Sequence, residues 1–289
     1  MDMYEIRKIK SGEVDEALEL ALDVFMEFEA SDYKPEGVET FKSFVRGEEL
    51  INGFKSGTSP MYAAFDSGNI IGLIGMRPNK THINLVFVKK EYHRKGVATA
   101  IFRYLLDDLL REDPAPSEIT LNSSPYGLPF YLHLGFVPQS DEQEADSIRF
   151  TPMKYYVALG SAVNKSLEEL ENSFWEHNDF NSYVVQTVQA ARKKPLRELS
   201  NEEIRVLTGQ RVGLKYILPM AVAILKNDPL AEIRFFEGDL LECVLSLSPA
   251  DWKDNPNELR GIISIIRTNR ASFQEEIADL ADRFLKSTE

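Results

Sequence analysis

The stretch His82-Ile83-Asn84-Leu85-Val86-Phe87-Val88, followed by the charged run from Lys89 to Gly96, decides the fold of the N-terminal half of this chain. Apolar Ile83, Leu85 and Phe87 alternate with the residues between them, and a period of two predicts a β-strand. After the charged run the apolar side chains recur at helical spacing, at Val97, Ile101, Phe102, Leu105 and Leu109. A strand therefore leads into a helix through a basic turn that contains a glycine.

This turn has the chemistry of an anion site. The first turn of a helix has backbone N–H groups without intrahelical partners, and these groups carry partial positive charge. Gly96 has no Cβ, so a ligand can approach the backbone closely, and Arg94 and Lys95 add full positive charges. These features suit a phosphate or pyrophosphate. An ordinary strand-to-helix connection with exposed basic residues is the alternative.

The run His93-Arg94-Lys95-Gly96-Val97-Ala98 resembles the acetyl-CoA pyrophosphate loop of the GCN5-related N-acetyltransferase (GNAT) family. That loop reads Gln or Arg, any, any, Gly, any, Gly or Ala, so Gly96 and Ala98 match while His93 departs. A second run, Phe130 to Phe136, is similar to the family's Phe-Tyr-x-x-x-Gly-Phe segment. The two runs occur in the family's order and spacing, and residues 1 to about 157 fit the whole pattern.

The resemblance implies an α/β fold, a GNAT-like mixed sheet flanked by helices, and an acetyl-CoA-dependent N-acetyltransferase. It implies that Tyr131 protonates the departing thiolate of CoA, whereas a half-buried core tyrosine is the alternative reading. The strand would align the pantetheine arm and the turn would hold the pyrophosphate. The residues implied in cofactor binding are Val86, Phe87, Val88, His93, Arg94, Lys95, Gly96, Val97, Ala98, Thr99 and Asn122.

The amine acceptor and the general base are not identified by the sequence. In the family, the connection after the first helix borders the acceptor site, so Glu27, Glu29 or Asp32 could attract an amine or act as a base. A solvated helix end is the alternative for these carboxylates. His82 and His133 are interpreted as structural, and no His, Cys and Asp cluster has metal-ligand spacing.

Composition limits the class of protein. The chain has 289 residues, enough for about two domains, and a single cysteine, Cys243, which excludes an internal disulfide framework. The formal net charge of −13 argues against general nucleic-acid or anionic-membrane binding. The N-terminus lacks a basic segment followed by an apolar one, and no apolar run could span a bilayer. We therefore expect a cytoplasmic protein.

The predicted elements of the first half follow the order β, α, α, β, β, β, α, β, α, β, β, which is an α/β layer arrangement. They include one helix over 35–54, a hairpin around Asp66-Ser67-Gly68, and a short helix over 128–134. Strand character stops near residue 159, and we place domain boundaries at 1–158 and 161–289.

The second half is predicted to be all helical. Three capping boxes indicate helix starts, at Ser166 with Glu169, Ser200 with Glu203, and Ser272 with Glu275. The segment 214–225 is apolar nearly all round, so it predicts a buried central helix that contains Pro219.

Segments between residues 166 and 254 resemble the helical immunity proteins of bacterial contact-dependent growth inhibition (CDI) systems. The resemblance is carried by Lys194 to Ser200, Leu207 to Ala221, Asn227 to Glu232, Phe236 to Leu241 and Trp252. It implies that this half binds and blocks a cognate toxin domain. Four acidic side chains could form a face for a basic toxin, namely Glu232, Glu237, Asp239 and Glu242. The alternative is that they are solvated helix charges, with Asp239 as a helix cap.

Two functions therefore compete. The first is an N-acetyltransferase that uses acetyl-CoA and an unidentified amine and carries an immunity-like helical domain. The second is a non-catalytic immunity protein whose GNAT module is degenerate. Gly96, Ala98 and Tyr131 favour a working cofactor site, and the first function is the one we predict.

Overall fold

The computed structural model describes residues 4–112, 115–176 and 182–288, which fall into two units that meet in the chain between Val157 and Ala158. The strands of the N-terminal unit are β1 (Glu5–Lys8), β2 (Met61–Asp66), β3 (Asn69–Met76), β4 (His82–Val88), β5 (Glu118–Ser123), β6 (Val137–Pro138), β7 (Gln143–Ala145) and β8 (Ile148–Tyr156). Its helices are α1 (Val14–Phe28), α2 (Pro35–Val45), α3 (Glu48–Ser56), α4 (Val97–Leu109) and α5 (Leu128–Leu134).

The strands form one mixed sheet in the order β1-β2-β3-β4-β5-β8-β6, and β7 pairs with β8. Strands β4 and β5 run parallel, and the other pairs are antiparallel. One apolar cluster packs α1, α2 and α3 against one face of the sheet, and a second packs α4 and α5 against the other. The predicted fold class, a GNAT-like mixed sheet flanked by helices, is confirmed.

The parallel pair β4 and β5 stays together for a short distance only. His82 pairs with Thr120 and Ile83 pairs with Leu121, and no further pairs join the two strands. Beyond these pairs the β4 edge that faces β5 has no strand partner, so its backbone N–H and C=O groups before Val88 are available to a ligand.

A β-bulge lies at the point where the two strands separate. Gly75 pairs with Leu85 and Met76 pairs with Ile83, so Asn84 is the extra residue of β4. The bulge shifts the side-chain alternation, because Ile83 packs with α4 and Leu85 packs with α1 on the opposite face. Ile83 therefore lies on the opposite face from Leu85 and Phe87, although an unbroken period of two would place all three on one face.

Two predictions of local structure need correction. The helix predicted over 35–54 is broken at Arg46 and Gly47, because the extended backbone of Gly47 forms the start of α3. Strand β7 has exposed, largely polar residues and none of the apolar alternation that indicates a strand, so the sequence did not predict it.

The C-terminal unit is helical throughout its described residues. Its helices are α6 (Leu167–Glu171), α7 (Tyr183–Lys193), α8 (Asn201–Gly209), α9 (Leu214–Asn227), α10 (Asp239–Leu245), α11 (Pro256–Asn269) and α12 (Glu275–Thr288). Helix α9 is the buried central helix and runs through Pro219. In the parts of the chain that the structure describes, no helix is both long and apolar enough to span a membrane.

Two of the three predicted capping boxes are present. Ser166 with Glu169 begins α6, and Ser200 with Glu203 begins α8. The third is absent, because the Ser272 hydroxyl donates to the carbonyl of Asn269 and α12 begins later, at Glu275. Ser272 closes the turn that precedes the helix rather than starting the helix.

Helix α2 packs closely on the turn between β7 and β8, and this contact gives a first prediction. A Cβ at Gly37 would lie 2.2 Å from the carbonyl oxygen of Ser147. Because backbone must move to relieve that clash, we expect Gly37→Ala to reduce the free energy of unfolding by about 1–3 kcal/mol. Thermal unfolding tests this, with Gly12→Ala as control, since a Cβ at Gly12 meets nothing within 4 Å. Equal midpoints for the two variants would contradict the packing.

Candidate active site

A cavity of about 370 Å³ lies along β4 where this strand separates from β5. Residues 83–87 of β4 form its floor, the end of β5 and helix α5 form one side, and α1, α2 and the β7–β8 hairpin form the other. The wall includes four of the predicted site residues, namely Val86, Phe87, Asn122 and Tyr131. Asn122 is exposed on β5. The structure therefore brings these residues, from three separate elements, to one cavity.

Tyr131 is the hydroxyl-bearing residue in the side of the cavity formed by α5. Its side chain is half-buried, and its ring packs edge-on against Phe136 with a centroid distance of 5.6 Å. Burial, and secondly the charge of Glu29, raise the pKa of Tyr131 above its ordinary value. The phenol therefore stays protonated at neutral pH and can act as a donor in the cavity.

Glu29 is the carboxylate of the cavity wall whose charge acts on Tyr131, whereas the wall's other carboxylate, Asp146, lies on the β7–β8 turn. Glu29 follows α1 directly, and burial raises its pKa, with the Ser124 hydroxyl acting in the opposite direction and Asp32 adding to the rise. Among the three carboxylates considered from the sequence, Glu27 is exposed and pairs with Lys90, and Asp32 lies outside the wall of this cavity. The structure thus singles out Glu29, which the sequence did not distinguish from its neighbours.

The basic turn lies past the C-terminal end of β4. Gly96 is the residue that precedes α4, with φ +79°, and a Cβ there would meet nothing within 4 Å. Among the described residues, no backbone carbonyl or capping side chain accepts a hydrogen bond from the N–H of Val97, Ala98 or Thr99. These donors are free and the space beside Gly96 is open, which suits an anion.

His93 holds this turn to the end of β4. Its Nε2 lies 2.7 Å from the carbonyl oxygen of Val88, and its ring packs on Phe28 with a centroid distance of 4.7 Å. Because a carbonyl only accepts, Nε2 must carry the proton in this contact. His93 therefore fixes the geometry of the turn where the family has Gln or Arg.

The remaining predicted cofactor residues are Val88, the last residue of β4, and residues 93–99 after it, and they lie outside the cavity wall. The side chains of Val88 and Val97 are buried in the core, so only their backbone atoms could serve a ligand. Arg94 and Lys95 are exposed, and Arg94 has a positive φ of 60°.

Two further residues of the cavity wall had no site role in the sequence-based prediction. The Asn84 side-chain oxygen is buried, and no described residue donates a hydrogen bond to it. The His82 Nδ1 lies 2.9 Å from the Thr120 hydroxyl, and burial, together with Arg77, lowers the pKa of His82 to about 4. His82 is therefore neutral at pH 7 and is a weak base. A bulge cannot be located from alternation alone, so Asn84 could not be identified from the sequence.

In the C-terminal unit, the four carboxylates of the suggested acidic face do not form one set. Asp239 is 1% exposed, and it accepts hydrogen bonds of 3.1 Å from the backbone N–H groups of Ile233, Arg234 and Phe235. Glu232, Glu237 and Glu242 are exposed. Asp239 therefore organises the loop before α10 and does not belong to a surface. In the described part of the chain, no group of three or more His, Cys, Asp or Glu could hold a metal ion.

Comparison with known structures gives many similar chains, each similar to about half of this one. They include a GCN5-related N-acetyltransferase from Rhodopseudomonas palustris, with 18% identity and a TM-score of 0.46 over 54% of this chain and 97% of that one. The PaiA N-acetyltransferase of Thermoplasma acidophilum, solved in complex with coenzyme A, has 20% identity and a TM-score of 0.44 over 53% and 98%. A GNAT-family acetyltransferase from Staphylococcus aureus has 16% identity and a TM-score of 0.42 over 53% and 99%.

Comparison with curated proteins gives no match. Two family models match separate parts of the chain. Residues 29–157 match the model described as acetyltransferase (GNAT) domain, and residues 169–262 match the model described as CDI immunity proteins. The chain is therefore similar to GNAT acetyltransferase domains over residues 29–157 and to CDI immunity proteins over residues 169–262.

Proposed function

We propose that residues 1–158 form an acetyl-CoA-dependent N-acetyltransferase and that residues 161–289 form an immunity-type domain that binds a toxin. The observation that carries the first proposal is the separation of β4 from β5. It leaves an unpaired strand edge next to a cavity that holds Glu29 and Tyr131, and β4 continues to the basic turn with its free N–H groups.

The residues present fit acetyl-CoA. The free N–H groups at the start of α4, together with Arg94 and Lys95, would hold the pyrophosphate. The open β4 edge would accept and donate hydrogen bonds to the amide groups of the pantetheine arm. When bound, acetyl-CoA supplies an acyl group activated as a thioester.

Glu29 and Tyr131 divide the proton transfers of the reaction. Glu29 accepts a proton from the ammonium of the acceptor, so that a neutral amine can form the new C–N bond with the acyl carbon. Tyr131 would donate a proton to sulfur as the C–S bond breaks, and the proton that nitrogen loses as the amide forms would pass through solvent to restore the phenol. The raised pKa of each group suits its role, because Glu29 holds a proton more readily and Tyr131 stays protonated until the thiolate leaves.

The direct test of this function is transfer itself. The full chain is incubated with acetyl-CoA and a set of primary amines, and free CoA thiol and acetylated amine are both measured. We expect the two products to appear in equal amounts. Well-folded protein that releases neither product from any amine would favour the non-catalytic immunity reading.

The pH profile of Glu29→Gln tests the base. Only ionised Glu29 can accept a proton, so the kcat/KM of the native protein should rise with pH through the raised pKa of Glu29. Glu29→Gln should lose this limb and lower kcat/KM about 100-fold. If kcat/KM of the variant still rose with pH, a group other than Glu29 would be the base. Glu27→Gln is the matched control, since Glu27 is exposed outside the cavity.

The same substitution has an opposite effect on stability. Because folding raises the pKa of Glu29, this group favours the folded state below its ordinary pKa of about 4.5, and that contribution is lost as pH rises through the folded value. At pH 7 Glu29→Gln should therefore unfold at a higher temperature than the native protein, and the difference should vanish near pH 4. Equal midpoints at both pH values would contradict the burial of a charged Glu29.

The immunity-type function is favoured by the loop that precedes α10. Its two aromatic side chains, Phe235 and Phe236, are 60% and 45% exposed, and the buried carboxylate of Asp239 holds the backbone beneath them. Large aromatic side chains on a fixed backbone are typical binding hot spots. Exposed Glu232 and Glu237 flank them and form no ion pair with other described residues, so the surface suits a basic protein.

Protection of growth tests the immunity-type function. The full chain is co-expressed with each toxin domain encoded beside its gene, and growth is compared for the native chain and for Phe235→Ala with Phe236→Ala. We expect the native chain to restore growth and the double variant to fail. Leu110→Ala is the control, since Leu110 is also exposed and lies in the other unit. Equal protection by all three chains would exclude this surface.

A further inference from the structure

The cavity has an aromatic half that the proton transfers described above do not use. Five rings from α1, α2, β8 and the loop after α1 line it, namely Phe25, Tyr33, Phe41, Phe44 and Phe150. Phe41 stacks on Phe25 with a centroid distance of 3.9 Å and meets the β4 residue Phe87 edge-on at 5.7 Å. The aromatic half thus joins the floor of the cavity directly, on the side opposite α5.

Hydrogen bonds hold the aromatic half in a fixed shape. The Tyr33 hydroxyl donates to the carbonyl of Arg149 at 3.2 Å, and the Thr40 hydroxyl donates to the carbonyl of Asp146 at 3.1 Å. The contact between Gly37 and Ser147 brings α2 and the hairpin turn together between these bonds. The β7–β8 hairpin is therefore fastened to α2, and the wall exists before a ligand binds.

Two carboxylates line the cavity, namely Glu29 and the exposed Asp146 of the β7–β8 hairpin turn. Glu29 is the carboxylate that also influences Tyr131 and Tyr33, so it lies where the catalytic and aromatic halves meet. Arg149 is paired with Glu142 at 2.7 Å, whereas Arg77 forms no ion pair with the residues that the structure describes. Glu29 is thus the carboxylate placed to bind an ammonium group next to Tyr131.

We propose that the acceptor is a primary amine carried on a short chain by an aromatic ring. Its ammonium lies at Glu29, and its ring lies against Phe41 and Phe44, where ring pairs gain from stacked or edge-on contact. The proposal rests on the acetyltransferase function, and the bonds made and broken are those given above. Aliphatic amines, polyamines included, lack the ring contact.

The test compares three acceptors at saturating acetyl-CoA: 2-phenylethylamine, n-butylamine and spermidine. We expect kcat/KM for 2-phenylethylamine to exceed both others by about tenfold or more, from the ring contact alone. Equal or better transfer to n-butylamine or spermidine would overturn the acceptor class. Transfer to none of the three by protein that still binds acetyl-CoA would also overturn it, while leaving the cofactor site in place. Loss of acetyl-CoA binding itself would instead mean that the proposed enzyme function has failed.

The variant Phe44→Ala tests where the aromatic ring of the acceptor binds. Phe44 is 42% exposed, so its truncation should leave the fold intact while raising the KM for 2-phenylethylamine about tenfold. The KM for n-butylamine and the affinity for acetyl-CoA should stay unchanged. Met26→Ala is the matched control, because Met26 is 44% exposed on α1 and is not part of the cavity wall. An equal rise in KM for both amines would overturn the ring contact.

Discussion

Tyr131→Phe is expected to lower kcat for acetyl transfer about 100-fold while leaving the KM for acetyl-CoA unchanged. The phenol is the donor that the cavity offers to a departing sulfur, and phenylalanine keeps the ring contact with Phe136. The hydroxyl makes no hydrogen bond with the described residues, so its removal should hardly change the free energy of unfolding. Steady-state kinetics at several pH values, together with thermal unfolding, measure these quantities.

The outcome separates a catalytic Tyr131 from a core tyrosine. Burial keeps the phenol protonated, so the ratio of native to variant kcat should stay constant across neutral pH. Tyr155→Phe is the matched control, because Tyr155 is another buried tyrosine whose ring packs on Phe136, at 5.2 Å, and it is not in the cavity wall. If Tyr131→Phe lost stability and kept its kcat, the core reading would be correct.

Asp239→Ala is expected to reduce the free energy of unfolding of the C-terminal unit by about 3–5 kcal/mol. The carboxylate accepts from three backbone N–H groups, and its Oδ2 lies 3.5 Å from Nε of Arg205, whose side chain is also largely buried. Removing it leaves buried donors and a buried cation without their acceptor. Differential scanning calorimetry of the full chain measures the loss.

Glu242→Ala is the control for Asp239→Ala. Both residues lie on α10, but Glu242 is exposed, so its removal should change the free energy of unfolding by about 0.5 kcal/mol or less. A loss below about 1 kcal/mol for Asp239→Ala would mean that water or other groups satisfy the loop. In that case the aromatic side chains of the loop would not be held on a fixed backbone.

The elements that could be predicted are those with strong local signals. The bounds predicted for the central strand agree with β4, and the helical spacing after Gly96 agrees with α4. The capping boxes at Ser166 and Ser200 are also local, since each is formed by two residues three positions apart. Strand β7 was missed because its pairing with β8, rather than its own side chains, makes it a strand.

The residues of the candidate site could be predicted from the sequence only where they belong to a family motif. The residues taken from the family resemblance lie in the cavity or in the turn after β4, and their roles stay predictions. Glu29 could not be separated from Glu27 and Asp32, because all three belong to one charged stretch and only the packing of α1 decides which faces inward. The aromatic half of the cavity could not be predicted either, because Phe25, Phe41 and Phe150 are distant in sequence and each has the pattern of an ordinary core residue.

The central claim is that the turn before α4 binds acetyl-CoA. Calorimetric titration with acetyl-CoA tests it most directly, and the three proteins to titrate are the native chain, Gly96→Glu and Gly57→Glu. The two glycines have φ values of +79° and +77°, and a Cβ at either meets nothing within 4 Å, so the two variants carry the same backbone strain. Only Gly96→Glu places a negative charge beside the free N–H groups of α4. Saturable binding by the native chain and Gly57→Glu, weakened at least about 100-fold in Gly96→Glu, is the predicted result. No binding by the folded native chain, or equal binding by all three, would contradict the account.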